Sequence, residues 1–211
     1  MPLQLAKPSP THIAILSRAP FPGRAKTRLI PALGAQGAAD LHQRLLLRTV
    51  QTAFAAQLGP VNLWCTPDSS HPAFTACQQL GPLKLHTQSS GDLGARMLAT
   101  LAAHTPTQII GTDCPALTPE QLQQAAKVLS ENAAVLIPAE DGGYVLIGLH
   151  QPAACLFDNM VWGCATVLEH TRQRLHDAGL RWVELPALWD VDEAADLTRL
   201  APFTPELLKP L

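Results

Sequence analysis

Four of the chain's 15 lysines and arginines fall within residues 18–28, in the run Ser17-Arg18-Ala19-Pro20-Phe21-Pro22-Gly23-Arg24-Ala25-Lys26-Thr27-Arg28. An even spread would place about one there. Arg18, Arg24, Lys26 and Arg28 supply the charge and the forked N–H donors that bind phosphate. Gly23 lets backbone N–H groups come close to an anion. No G-x-x-x-x-G-K-[ST] pattern runs through Lys26-Thr27, so this is not a Walker A loop. The combination points to a diphosphate or triphosphate site, against the plainer alternative of a solvated basic loop.

Three acidic segments could complete such a site. Asp113 stands in Gly111-Thr112-Asp113-Cys114-Pro115, just after an apolar run. A carboxylate there can hold Mg²⁺ or Mn²⁺ together with substrate phosphates, or it can organise the turn before Pro115. Asp190 and Asp192 stand in Trp189-Asp190-Val191-Asp192-Glu193. There the alternative to metal binding is support of the helix that follows. A metal site requires one of these two acids beside Asp113. Asp141 lies in Glu140-Asp141-Gly142-Gly143-Tyr144. This is either a hairpin turn or a substrate loop. In the second case Gly142 and Gly143 leave room for a sugar and Asp141 accepts hydrogens from its hydroxyls. Gly91-Asp92-Leu93-Gly94-Ala95-Arg96 either starts a helix with Asp92 as its cap or presents Gly91 and Arg96 to a nucleotide. The eight histidines show no ligand spacing and are expected to be structural or on the surface.

The elements that position these loops follow from periodicity. Short apolar runs ended by turn residues predict strands at 12–17, 61–65, 83–87, 108–111, 135–137, 144–149 and 181–185. Helices are expected at 35–58, 92–104, 118–130, 165–178 and 193–200. The first carries Leu46, Val50, Phe54 and Leu58 at four-residue spacing. The third carries Thr118 as N-cap, Pro119 and Gln121 as a capping box. Alternating strands and helices predict an α/β fold in three layers around a mostly parallel sheet. In such folds ligands bind at the carboxyl ends of strands, so the loops after Ser17, Gly111, Pro138 and Leu185 are where chemistry is expected.

Composition narrows the function class. Hydrophobic residues are 47% of the 211 residues, charged residues 15%, and the net charge is −2. The chain can build a core and is not a disordered one. It lacks the global basic field that nucleic acid or an anionic membrane would need. No apolar run is long enough to span a membrane. The five cysteines form no C-x-x-C pair, so a disulfide framework or zinc site is not expected, and a cytoplasmic setting is. One domain over 1–211 is expected, with a tail at 1–11. Oligomeric state is not legible.

In order, the segments S-R-A-P-F-P-G-R-A-K-T-R-L, G-D-L-G-A-R-M, G-T-D-C-P-A-L-T, E-D-G-G-Y-V-L-I-G-L and D-V-D-E-A-A-D-L resemble a bacterial family of small GT-A-like transferases (DUF2064). That family is described as glycosyltransferase-like and as related to phospholactate and molybdenum-cofactor guanylyltransferases. The match spans about residues 13–200. It implies a Rossmann-like nucleotide-diphospho-sugar transferase fold. It implies that Gly23, Arg24, Lys26 and Arg28 face nucleotide phosphates, that Asp113 is a ligand of Mg²⁺ or Mn²⁺, and that Asp192 is a second one. The chain departs from the family pattern in three places. Arg18 stands where the family often has lysine. Glu193-Ala194-Ala195 replaces a Thr-Pro segment. Trp162-Gly163-Cys164 replaces Trp-Ser-Thr, in a segment where Trp162 is expected to touch substrate.

The expected activity is metal-dependent glycosyl transfer from a nucleotide-diphospho-sugar to a small acceptor. Asp113 would hold the metal and Asp141 would orient the sugar or take the acceptor's proton. The alternative is nucleotidyl transfer from a nucleoside triphosphate to a small phosphorylated acceptor, with pyrophosphate released. A third is nucleotide binding without turnover.

Overall fold

The structure is a computed structural model that describes residues 10–208. Most of the tail expected at 1–11 lies outside the described residues. Among the described residues seven strands form one sheet: β1 (His12–Arg18), β2 (Val61–Thr66), β3 (Leu83–Thr87), β4 (Thr107–Ile110), β5 (Ala134–Pro138), β6 (Tyr144–Leu149) and β7 (Trp182–Glu184). Their order is β3-β2-β1-β4-β6-β5-β7. Only β6 runs antiparallel to its neighbours, β4 and β5. The chain builds outward from β1 to β2 and β3, then returns to the other side of β1 with β4. The order therefore reverses between β1 and β4, and that crevice is where an open α/β sheet takes its ligands.

Alternation along β1 feeds both faces. Ile13 and Ile15 pack with α1 (Ile30–Ala55), α2 (Pro72–Gln78) and α4 (Pro119–Leu129), through Leu46, Val50, Phe74 and Leu122. Ala14 packs on the other face with α3 (Leu93–Ala103) and α5 (Val167–Asp177), through Met97, Leu101, Leu168 and Leu175. A third cluster joins Leu29, Leu41 and Leu45 to Trp189, Val191 and Leu200, the last from α6 (Ala194–Phe203). It clamps the segment after β7 against α1. Among the described residues no helix is long and apolar enough to cross a membrane.

Several boundaries differ from expectation. The first long helix begins at Ile30, because Pro31 fits a helical first turn, and it is interrupted at Gly34 (φ 71°, ψ 167°), a backbone position that suits glycine. Helix α2 has no counterpart among the expected elements. It is only seven residues long, buries Ala73, Phe74 and Cys77, and is too short to show a period. The edge strands β3 and β7 are more exposed than β2, β4, β5 and β6, because among the described residues each pairs with a strand on one side only. The capping box at Thr118 and Gln121 forms as expected, with bonds of 2.8 and 3.3 Å. All five cysteines are free.

Candidate nucleotide-phosphate site

A cavity of about 400 Å³ opens at the carboxyl ends of β1 and β4. Arg18, Arg24, Lys26, Arg28, Arg96, Asp113 and Asp192 all line it. These residues come from four separate parts of the sequence, and the sheet brings them together.

The basic loop is built by two buried anchors. Ala25 is 2% exposed and Leu29 fully buried, so the backbone between them is pinned to the core. The Phe21 carbonyl accepts from the N–H groups of Arg24 and Ala25 at 3.0 and 3.1 Å, which closes the turn around Gly23. Lys26 then takes a left-handed conformation (φ 47°, ψ 47°), unusual for a residue with a Cβ. This turns its side chain inward, where it is only 4% exposed. Its ammonium lies 2.7 Å from Asp113 Oδ1 and 3.7 Å from Asp192 Oδ1, and it donates to the Val191 carbonyl. Arg28 pairs with Asp192 from the outer side.

Two loops present the acids. The Val191 N–H donates to the Asp113 carbonyl at 2.8 Å, which ties the loop after β4 to the segment after β7. Asp196 Oδ2 accepts from the N–H groups of Asp192 and Glu193 at 2.9 and 2.7 Å and fixes the entrance of α6. Arg199 of α6 reaches back to Glu140 with bonds of 2.7 and 3.1 Å and lies 4.6 Å above the Trp189 ring.

Burial works against charge on Asp113. The Lys26 ammonium outweighs it, with help from His42 and Thr112, and holds the carboxyl below the usual aspartate range. Asp190 behaves oppositely. Burial, then the charges of Asp141 and Asp113, push it up to about 6. Asp190 thus shares an electrostatic neighbourhood with both, although it does not line the cavity.

Gly23, Gly91, Asp141, Gly142, Gly143 and Trp162 are not among the residues that line the cavity. Gly23 forms the turn of the basic loop, and Gly91 accepts from Arg96 Nε at 3.1 Å. Asp141 is exposed in the β5–β6 turn and accepts from the Gly143 N–H at 2.9 Å, so the hairpin arrangement is present. Gly142 (φ +91°) lets this turn press against the segment before α5, where a Cβ would lie 2.1 Å from the Ala165 oxygen. Trp162 stacks on Phe157 and packs over Gly94 at the start of α3.

Sequence reading missed His42, Gln88, Thr66 and Leu93, which also line the cavity. His42 is nine-tenths buried. Its Nε2 donates to the Arg18 carbonyl at 2.8 Å, while Nδ1 has no hydrogen-bond partner and points toward Asp113 Oδ1 at 4.0 Å. Burial, only partly opposed by Asp113, lowers its pKa. One signal was available: His42 occupies the apolar stripe of α1, four residues before Leu46. Gln88 bridges the Trp64 and Ser17 carbonyls at 2.8 and 3.3 Å and holds Arg96 through Oε1 at 3.4 Å.

The donor set can be tested against Mg²⁺ or Mn²⁺. Asp113 and Asp192 converge on one cation position, which the Lys26 ammonium takes in this structure. Among the described residues no three His, Cys, Asp or Glu side chains form a closed metal cage. Two carboxylates with an open side fit an ion that completes its shell with water and substrate phosphates. They do not fit a structural zinc.

Comparisons with known proteins agree with this fold. The family model described as "Uncharacterized protein conserved in bacteria (DUF2064)" matches residues 49–164. A solved protein of Desulfovibrio desulfuricans G20, assigned to the nucleotide-diphospho-sugar transferases, is 28% identical. The alignment covers 92% of this chain and 88% of that one, with a TM-score of 0.81. A 4-diphosphocytidyl-2C-methyl-D-erythritol synthase of Anaerococcus prevotii DSM 20548 is 10% identical over 93% and 96% of the two chains, with a TM-score of 0.63. Rv0371c of Mycobacterium tuberculosis H37Rv, solved in complex with manganese, is 16% identical over 90% and 97%, with a TM-score of 0.54. The last two similarities are of fold. No curated protein matches the chain in sequence.

Proposed function

The chain belongs to the bacterial DUF2064 family, and from that premise we propose that it is a single-domain, metal-assisted transferase that takes a sugar from a nucleotide-diphospho-sugar to a small acceptor. One observation carries the reading: five basic side chains and two carboxylates from four separate parts of the sequence share the cavity at the β1/β4 crevice. Arg18, Arg24, Arg28 and Arg96 bind the diphosphate, and Lys26 joins them when phosphate is present. The backbone around Gly23 and Gly91 shapes the approach. Asp113 and Asp192 hold Mg²⁺ or Mn²⁺, which neutralises charge on the departing diphosphate. Asp141, on the acidic side of the site with Asp190, orients the sugar or accepts the acceptor's proton. Gly142 and Gly143 leave room for the sugar, and Trp162 contacts the substrate.

A second reading is nucleotidyl transfer from a nucleoside triphosphate. Asp113 is a lone acid between Thr112 and Cys114, and a wall with five cations suits a triphosphate. Incubation of the protein with Mn²⁺, a panel of nucleotide sugars and a panel of nucleoside triphosphates separates the two. Nucleoside diphosphate released from a nucleotide sugar in the presence of acceptor is the expected result. Pyrophosphate released from a triphosphate would replace it with the second reading. Tight nucleotide binding with no product from either panel would leave a binding protein and overturn both.

A further inference from the structure

We infer that Lys26 is a tethered counter-ion that keeps divalent metal off Asp113 and Asp192 until a substrate polyphosphate draws its ammonium away, so that metal enters together with the nucleotide and not before it. The inference rests on the reading of these two acids as the metal ligands.

The ammonium sits in a cradle made only of oxygen. Asp113 Oδ1 lies 2.7 Å away, Asp192 Oδ1 3.7 Å away, and the Val191 carbonyl accepts a hydrogen bond from it. Carboxylate and carbonyl oxygens are also what Mg²⁺ and Mn²⁺ seek. A divalent ion approaching Asp113 in the free protein meets a positive charge already beside its first ligand. The side chain is 4% exposed and the backbone at Lys26 is left-handed, so this position is built and not a chance surface pairing. His42 stands behind the same acid: its nine-tenths buried ring leaves Nδ1 without a hydrogen-bond partner, 4.0 Å from Asp113 Oδ1.

Polyphosphate changes the balance. Arg18, Arg24 and Arg28 surround the same cavity and would bring phosphate oxygens to it. The ammonium can then exchange a carboxylate for a phosphate oxygen, which frees Asp113 and Asp192 for metal. Charge balance favours the simultaneous arrival of an anion and a divalent cation over the arrival of the cation alone.

The test is binding of Mn²⁺ alone, without nucleotide, followed by the loss of the free-ion paramagnetic resonance signal. Wild type is expected to bind weakly. Lys26→Met is expected to bind at least about tenfold tighter, and Lys26→Met with Asp113→Asn should return to the wild-type level. Lys26→Arg keeps the charge and should stay weak. If Lys26→Met does not fold, Lys26→Gln takes its place, since it is neutral and keeps an N–H for the Val191 carbonyl. Equal Mn²⁺ affinity in wild type and in a folded neutral variant overturns the inference, whether that shared affinity is high or low. If wild-type transfer needs metal and the neutral variants gain no affinity, only this inference falls. If wild-type transfer runs unchanged with a chelator, the reading of Asp113 and Asp192 as metal ligands falls and takes the inference with it.

Discussion

Strands β1 and β4 have a cavity at each end, and the two cavities are of similar size but opposite chemistry. The one at the carboxyl ends is about 400 Å³. The one at the amino ends is about 490 Å³ and is lined by Pro10 and Thr11 before β1, by Thr105 and Pro106 before β4, and by Gln123, Lys127 and His150. The first gathers five lysines and arginines with two aspartates. The second holds one lysine and no carboxylate among its lining residues. Volume therefore does not distinguish a site from a gap between connections. Direction of the chain does. At the carboxyl ends, long loops leave β1 and β4 and carry side chains inward. At the amino ends the chain only returns.

This contrast can be broken in four ways, from the largest effect to the smallest. Asp113→Asn keeps the volume and removes the charge, and should lower turnover by about a thousandfold. Lys127→Ala, at the other cavity, should leave turnover unchanged. Comparable losses in both variants would erase the distinction between the two ends. Arg24→Ala should weaken nucleotide binding by about 10–100-fold, read as Kd by calorimetry, because a charge-assisted phosphate contact is lost. An unchanged Kd would take Arg24 out of the phosphate site.

Arg199→Ala removes the bidentate bond to Glu140 and the stack on Trp189. The Arg199 and Glu140 side chains are about half exposed, so the melting temperature should fall by a few degrees at most. Turnover should drop a few-fold, because α6 fixes the segment that carries Asp192. Partial rescue by Arg199→Lys would support positioning through charge.

The smallest effect concerns histidines on the α3 face of the sheet, away from the site. His12 stacks on His104, and His86 stacks on Trp64 and is hydrogen bonded to Asn62. Burial, then the charges of His104 and Lys84, hold His12 and His86 below the ordinary histidine range. Below about pH 6.5 the unfolded chain therefore binds more protons than the folded one, and stability falls as pH falls through that window. The melting temperature measured between about pH 7.5 and pH 5 should drop further in wild type than in His86→Asn. Identical curves would remove His86 as a source of this acid sensitivity.

The basic loop was legible because four cations within residues 18–28 stand out against a sparsely charged chain. Asp113 was legible because an acid directly after a buried strand sits at the sheet's carboxyl end. His42 was not, since a histidine within an apolar stripe looks like any core histidine until the fold shows what its free nitrogen faces. The surroundings of Gly142 and Trp162 were not legible either, since the contacts with Ala165, Phe157 and Gly94 join segments far apart in the sequence.

By itself the sequence determined the alternation of strands and helices, the capped start of α4 and the membership of the charged loops, because periodicity, caps and charge density are local properties. Tertiary structure decided which charges meet. Lys26 and Asp192 are 166 residues apart, and nothing local states that one ammonium lies between Asp192 and Asp113. That depends on strand order, on the hydrogen bond from Val191 to Asp113, and on the packing of Val191 and Leu29 in one cluster. Such contacts are set by burial of apolar surface far along the chain, which no spacing rule encodes.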